Sequence, residues 1–144
     1  MEAAILMTDD YVSAGLRHYS DSTMLAGQGR VDNSAYLGGY VVECALKALL
    51  QVHGYGARAY GHNLNALSSK GLALASMLSP GLSRYRVDRV PRLSAAIAVW
   101  NPEMRYAATS AVSSSDAALV LEVAKNMMSE VIIPLLLDGR RNWK

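Results

Sequence analysis

Apolar residues recur at helical spacing through most of the chain. Tyr11, Ala14, Gly15, Tyr19, Met24 and Leu25 follow Thr8-Asp9-Asp10, an N-cap with acids where the helix macrodipole favours them. Gly27-Gln28-Gly29 ends that pattern. Asp32-Asn33-Ser34 then predicts the cap of a second helix, which runs from about Asn33 to His53. Between Ala35 and Val52 its only charged residues are Glu43 and Lys47. A helix apolar nearly all round is a buried one, so this is the predicted central element and the most buried segment. Gly54, Gly56 and Gly61 mark an irregular loop, and a shorter helix starts near Asn63 with Leu64, Leu67, Leu72 and Leu74 as anchors.

Ser79-Pro80-Gly81 is the clearest break. A short apolar segment from Leu93 to Trp100 follows, then a turn at Asn101-Pro102. Ser113-Ser114-Ser115-Asp116 opens a last long helix over roughly 116–137, with Ala117, Val120, Leu121, Ala124, Met127, Met128 and Val131 as its stripe and Ile132 and Leu135 extending it. Pro134 should kink or end it near its last turn. There is no sustained alternation of period two, no Asn-Gly hairpin signal and no internal repeat. The prediction is all-α: one domain over residues 1–144, an up-and-down antiparallel bundle of four or five helices with short connections.

Composition narrows the class without naming an activity. The chain is 51% hydrophobic and 18% charged, with eight Tyr, two Trp and no Phe. One cysteine excludes an intramolecular disulfide framework and a multi-Cys zinc site. The first ten residues lack the basic start of a signal peptide, and no apolar run approaches the ~18 residues of a membrane span. The expected setting is the cytoplasm, with no membrane and no cofactor. A net charge of +2 is too small for a nucleic-acid coat, but it is unevenly spread: −3 over residues 1–50 and +5 over 51–110. Arg84, Arg86, Arg89 and Arg92, interleaved with Tyr85, suit phosphates as well as they suit plain solvent.

The candidate chemistry starts on the central helix, where Tyr36, Tyr40, Glu43 and Lys47 share one face. Glu43 four residues before Lys47 is an ion pair by geometry. On so apolar a helix it is either a structural pair or the floor of a polar cleft, because an unpaired buried charge costs several kcal/mol. His62, in Gly61-His62-Asn63-Leu64, is the candidate general base, with Arg58 four residues earlier. Arg105-Tyr106 follows the Trp100-Asn101-Pro102 turn and offers a permanent cation for a phosphate or carboxylate. Cys44 reads as a packed thiol, and His18 and His53 as ordinary helix residues. Gly27-Gln28-Gly29 lacks the Gly-Lys-Ser/Thr ending of a phosphate loop.

Residues 30–49, with Ala35-Tyr36-Leu37, Tyr40 and Glu43-Cys44-Ala45-Leu46-Lys47-Ala48-Leu49, resemble the HEPN domain family (higher eukaryotes and prokaryotes nucleotide-binding). Tyr19-Ser20-Asp21, Gly61-His62-Asn63-Leu64 and Arg105-Tyr106 extend the resemblance over about residues 8–135. It implies a helical bundle, usually a homodimer, that is a metal-independent ribonuclease of toxin–antitoxin or phage-defence systems. The other implied role is a non-catalytic partner of a small nucleotidyltransferase or a nucleotide-binding module. Ribonuclease members carry an Arg followed by His after four to six residues; here Arg58 and His62 have three between them, and no His follows Arg105. The expected site is therefore assembled differently, from His62 as base, Lys47 and Arg105 as cations and Glu43 as orienting group. Tyr40, Tyr106 and Arg58 would bind RNA or nucleotide. For a dimer contact the last helix offers Val123, Ile133 and Leu137 beyond its main stripe, and adaptable Met127-Met128.

Overall fold

In a computed structural model, which describes residues 9–77 and 79–140, Asp10 starts the first helix by accepting a hydrogen bond from the Ser13 amide at 2.9 Å. Thr8, the other expected cap residue, lies outside the described residues. Helix α1 covers Tyr11–Gly27 and α2 covers Val31–Val52. Gly29 joins them with φ +74°, a left-handed turn that lets the Arg30 N–H return to Leu25 O at 2.9 Å. The short turn makes α1 and α2 an antiparallel hairpin. Helices α3 (Leu64–Ala75), α4 (Leu93–Val99), α5 (Ser114–Met127) and α6 (Ile133–Leu137) follow, with no strand among the described residues. The molecule is a helical bundle, as the periodicity predicts. None of its described helices is long and apolar enough to cross a membrane.

Helix α2 is the centre, packed by α1, α5 and α3, and every residue from 41 to 50 is buried. Leu46, Leu49 and Leu50 are fully enclosed, each worth ~1.5–3 kcal/mol relative to exposure. The expected cap of α2 is different in the structure. Its N-cap is Arg30, without a side-chain bond, because the Asp32 carboxylate turns away to accept the amides of Ser110 at 2.8 Å and Val112 at 3.2 Å. Leu72 is also not an anchor: it faces solvent, while Leu64, Leu67 and Leu74 enter the core.

The last helix is not continuous. After α5, capped by Ser113, residues Met128–Ile132 wind as a π-helical turn before α6. Pro134 has no N–H to bond the Glu130 carbonyl one turn back. That carbonyl instead accepts the Arg86 amide at 3.2 Å, tying the 79–86 loop to the helix. Val123 belongs to the core, whereas Ile133 and Leu137 are exposed.

Trp100 decides where the chain goes after α4. Its ring lies on the backbone of Gly39, where any Cβ would sit 2.0 Å from the indole, and its Nε1 donates to Tyr36 O at 3.0 Å. Asn101 then caps a short 3-10 helix, Pro102–Tyr106, which carries Arg105 to the Tyr36 end of α2.

Candidate functional site

The face of α2 that bears Tyr36, Tyr40, Glu43 and Lys47 is where the polar groups meet. The Glu43 side chain is only 6% exposed, and both of its oxygens are engaged. Oε2 lies 3.4 Å from Lys47 Nζ, whose side chain is 10% exposed. Oε1 lies 2.8 Å from His62 Nδ1. The left-handed turn at Gly61 (φ +54°) and the Asn63 cap, which accepts the Ala66 amide at 3.0 Å, deliver His62 to that oxygen. A carboxylate accepts and does not donate, so this bond puts a proton on Nδ1, and in the neutral ring the lone pair is then on Nε2. The imidazole is half-exposed, at 50%. A buried carboxylate thus holds an accessible base, and Lys47 balances the carboxylate's charge from below.

An aromatic wall stands beside the dyad. The Tyr40 ring meets His62 edge-on at 5.7 Å and packs similarly against Tyr36 and Trp100, each at 5.1 Å. His18 of α1 closes the cluster at 5.8 Å from Tyr40. Burial first, then its hydrogen-bonding contact with Tyr36, raises the Tyr40 pKa, so its hydroxyl stays neutral. Burial and then Arg17 lower the pKa of His18, which favours a neutral imidazole. His18 and Trp100 escaped the sequence reading. Gly38-Gly39 in mid-helix was the available signal for Trp100, since two glycines there cost ~1 kcal/mol each and need a packing reason.

The two ends of the face differ. At the Lys47 end, Nζ stands 5.7 Å above the Tyr11 ring, and Tyr11 OH donates to Asp9 Oδ2 at 3.0 Å. Burial and that bond push the Tyr11 pKa up to about 12. Arg58 grips the same carboxylate through Nε at 2.6 Å and Nη2 at 3.1 Å, holding the Asp9 pKa down. Arg58 is therefore committed to Asp9. At the Tyr36 end, Arg105 lies over the Tyr106 ring at 5.1 Å, and Tyr106 is 77% exposed. The hydroxyls of Tyr106, then Tyr36 and Tyr40, raise the Arg105 pKa. So Glu43, Lys47, His62 and Tyr40 meet directly, and Arg105 with Tyr106 extends the same face.

Elsewhere the expected phosphate stretch is largely neutralised within the chain. Arg84 pairs with Asp138 at 2.8 Å, Arg86 with Asp88 at 2.6 Å and Arg92 with Glu122 at 3.0 Å. Cys44 is buried, and burial, reinforced by Glu43, pushes its thiol up to about 12, so it is a packed group and no nucleophile. Among the described residues no three His, Cys, Asp or Glu side chains are grouped to hold a metal ion. Compared with known proteins, the chain matches no family model, no curated protein and no solved structure.

Proposed function

We propose that this chain is a HEPN-like, RNA-acting protein of a toxin–antitoxin or phage-defence system, working in the cytoplasm, with His62 as the base of a metal-independent ribonuclease site. The observation that carries this reading is the 2.8 Å bond from His62 Nδ1 to the buried Glu43, which orients a half-exposed imidazole. In this reading Nε2 takes the proton of an RNA 2′-hydroxyl, and the 2′-oxygen bonds to the adjacent phosphorus. The bond from phosphorus to the 5′-oxygen breaks, and that oxygen takes a proton from solvent. The products are a 2′,3′-cyclic phosphate and a 5′-hydroxyl. Arg105 meets the developing phosphate charge, while Lys47 acts through Glu43.

Replacing His62 with alanine is the direct test. The variant should keep its unfolding midpoint, since the ring is half in solvent, and lose about 10²–10⁴-fold in the cleavage rate of single-stranded RNA. An unchanged rate in folded protein would move the chemistry away from His62.

A second reading is a non-catalytic nucleotide-binding module or partner of a nucleotidyltransferase. It is favoured by the exposed Tyr106 ring under Arg105, which supplies stacking and charge without any base. Binding without cleavage by the wild-type chain selects this second reading. The homodimer belongs to both, and Ile133 with Leu137 is the exposed apolar pair on α6 left for it. Light scattering at micromolar concentration should give twice the chain mass; a monomer removes that part.

A further inference from the structure

A cavity of about 730 Å³ opens between the α1–α2 turn and the 104–114 segment, beyond the Tyr36 end of the site face. Arg30 and Arg105 line it, together with Thr109, Ser113 and Ser114. Neither arginine has a carboxylate partner among the described residues, in contrast to Arg84, Arg86 and Arg92. Asp32 also lines it, but its two oxygens accept the Ser110 and Val112 amides and shape the wall. The lining keeps one net positive charge. Ion pairing has therefore taken three of the four cations of the arginine-rich stretch, all but Arg89, and neither of the two that line this cavity.

Arg105 belongs to this cavity and to the aromatic face of the site. From Tyr36 to Glu43 the axis of α2 advances about 10 Å at ~1.5 Å per residue. Charges on one strand of a duplex recur every ~3.4 Å, so a ligand reaching from His62 to Arg30 spans more than one nucleotide. Its hydroxyls and guanidiniums outweigh the apolar wall of Val31, Met104, Ala107 and Val112, which suits phosphates better than a buried base.

We infer that this cavity takes the backbone phosphates of a single-stranded RNA whose neighbouring nucleotide lies at His62, so that the ligand is a chain and not a mononucleotide. This rests on the RNA reading above.

Fluorescence anisotropy with a labelled RNA octamer, measured in the His62→Ala background so that the strand stays intact, tests it. Arg30→Gln should weaken binding about fivefold at 0.1 M salt and flatten the salt dependence by about 0.7, the value of one phosphate contact on a single strand. Arg105→Gln should do the same or more. Arg89→Gln, an arginine outside the cavity, should change affinity by less than about twofold. AMP should compete far more weakly than the unlabelled octamer. Equal losses for Arg89→Gln and Arg30→Gln, or AMP competing as well as the octamer, would overturn the cavity. So would unchanged binding in Arg30→Gln and Arg105→Gln; if His62→Ala still abolishes cleavage, the RNA reading survives that failure. An octamer that wild-type protein neither binds nor cuts overturns both.

Discussion

Glu43→Leu is expected to lower the unfolding free energy by about 3–5 kcal/mol, because it strands the Lys47 ammonium in the bundle interior. Lys47 is 10% exposed and would keep the Tyr11 ring, 5.7 Å away, and a weaker, more distant attraction to the Asp9 carboxylate. A ring face compensates a desolvated cation by about 2 kcal/mol, less than the loss of the carboxylate. The informative comparison is the pair replaced together. Glu43→Leu with Lys47→Met removes both charges at similar volume, and such replacements are often neutral or stabilising. Urea denaturation should show the double variant recovering most of the loss. If His62 is the base of the proposed ribonuclease, RNA cleavage by the double variant should stay as low as that of Glu43→Leu, since His62 has lost the oxygen 2.8 Å from its Nδ1. A double variant with wild-type cleavage would make the pair purely structural. A single variant within about 1 kcal/mol of wild type would show that the ion pair is solvated.

Gly39→Ala is the second large effect, and helix propensity points the opposite way. Alanine in a helix interior is worth ~1 kcal/mol over glycine. Here its methyl would lie 2.0 Å from two atoms of the Trp100 indole and 2.3 Å from a third. The indole cannot bend, so it must leave Gly39 and give up its 3.0 Å bond to Tyr36 O. Overpacking of this kind costs typically 1–3 kcal/mol and occasionally more, and here the rigid contact places the net loss at about 3 kcal/mol. Gly38→Ala is the control: its nearest neighbour would be Val120 Cγ1 at 3.1 Å, a methyl that can shift, and its stability should stay within about 1 kcal/mol of wild type. Because Trp100 precedes the Pro102–Tyr106 turn, Gly39→Ala should also displace Arg105 and, on the proposed RNA reading, weaken binding of the octamer. Equal stabilities for the two alanine variants in urea would refute the notch.

Helical periodicity is a local property of about 3.6 residues per turn, so the chain itself determined the helices, their order and which one lies at the centre. It also determined the Glu43–Lys47 pair, since two positions four apart on one helix meet whatever surrounds them. The same rule set Tyr36 and Tyr40 above that pair. Where local spacing met a competing tertiary partner, it failed. Asp32 has the composition of a cap, yet it bonds amides 78 and 80 positions away. Leu72 faces solvent because it stands about 100° round the helix from Gly71, off the buried stripe of Leu64, Leu67, Gly71 and Leu74.

The site depended on packing in the same way. His62 and Glu43 are 19 residues apart, and only the docking of the 54–63 loop on α2 brings the imidazole to the carboxylate. Arg58, four residues from His62, is drawn instead to Asp9 across 49 residues, and Arg84 to Asp138 across 54. A charge in sequence says nothing of its partner, because Coulomb attraction acts over distance in space and the fold alone sets that distance. The bundle thus decided which arginines were neutralised and which, Arg30 and Arg105, were left facing a cavity. The chain determined by itself the helix that bears the polar cluster; the packing of loops and turns against that helix decided which side chains reached it.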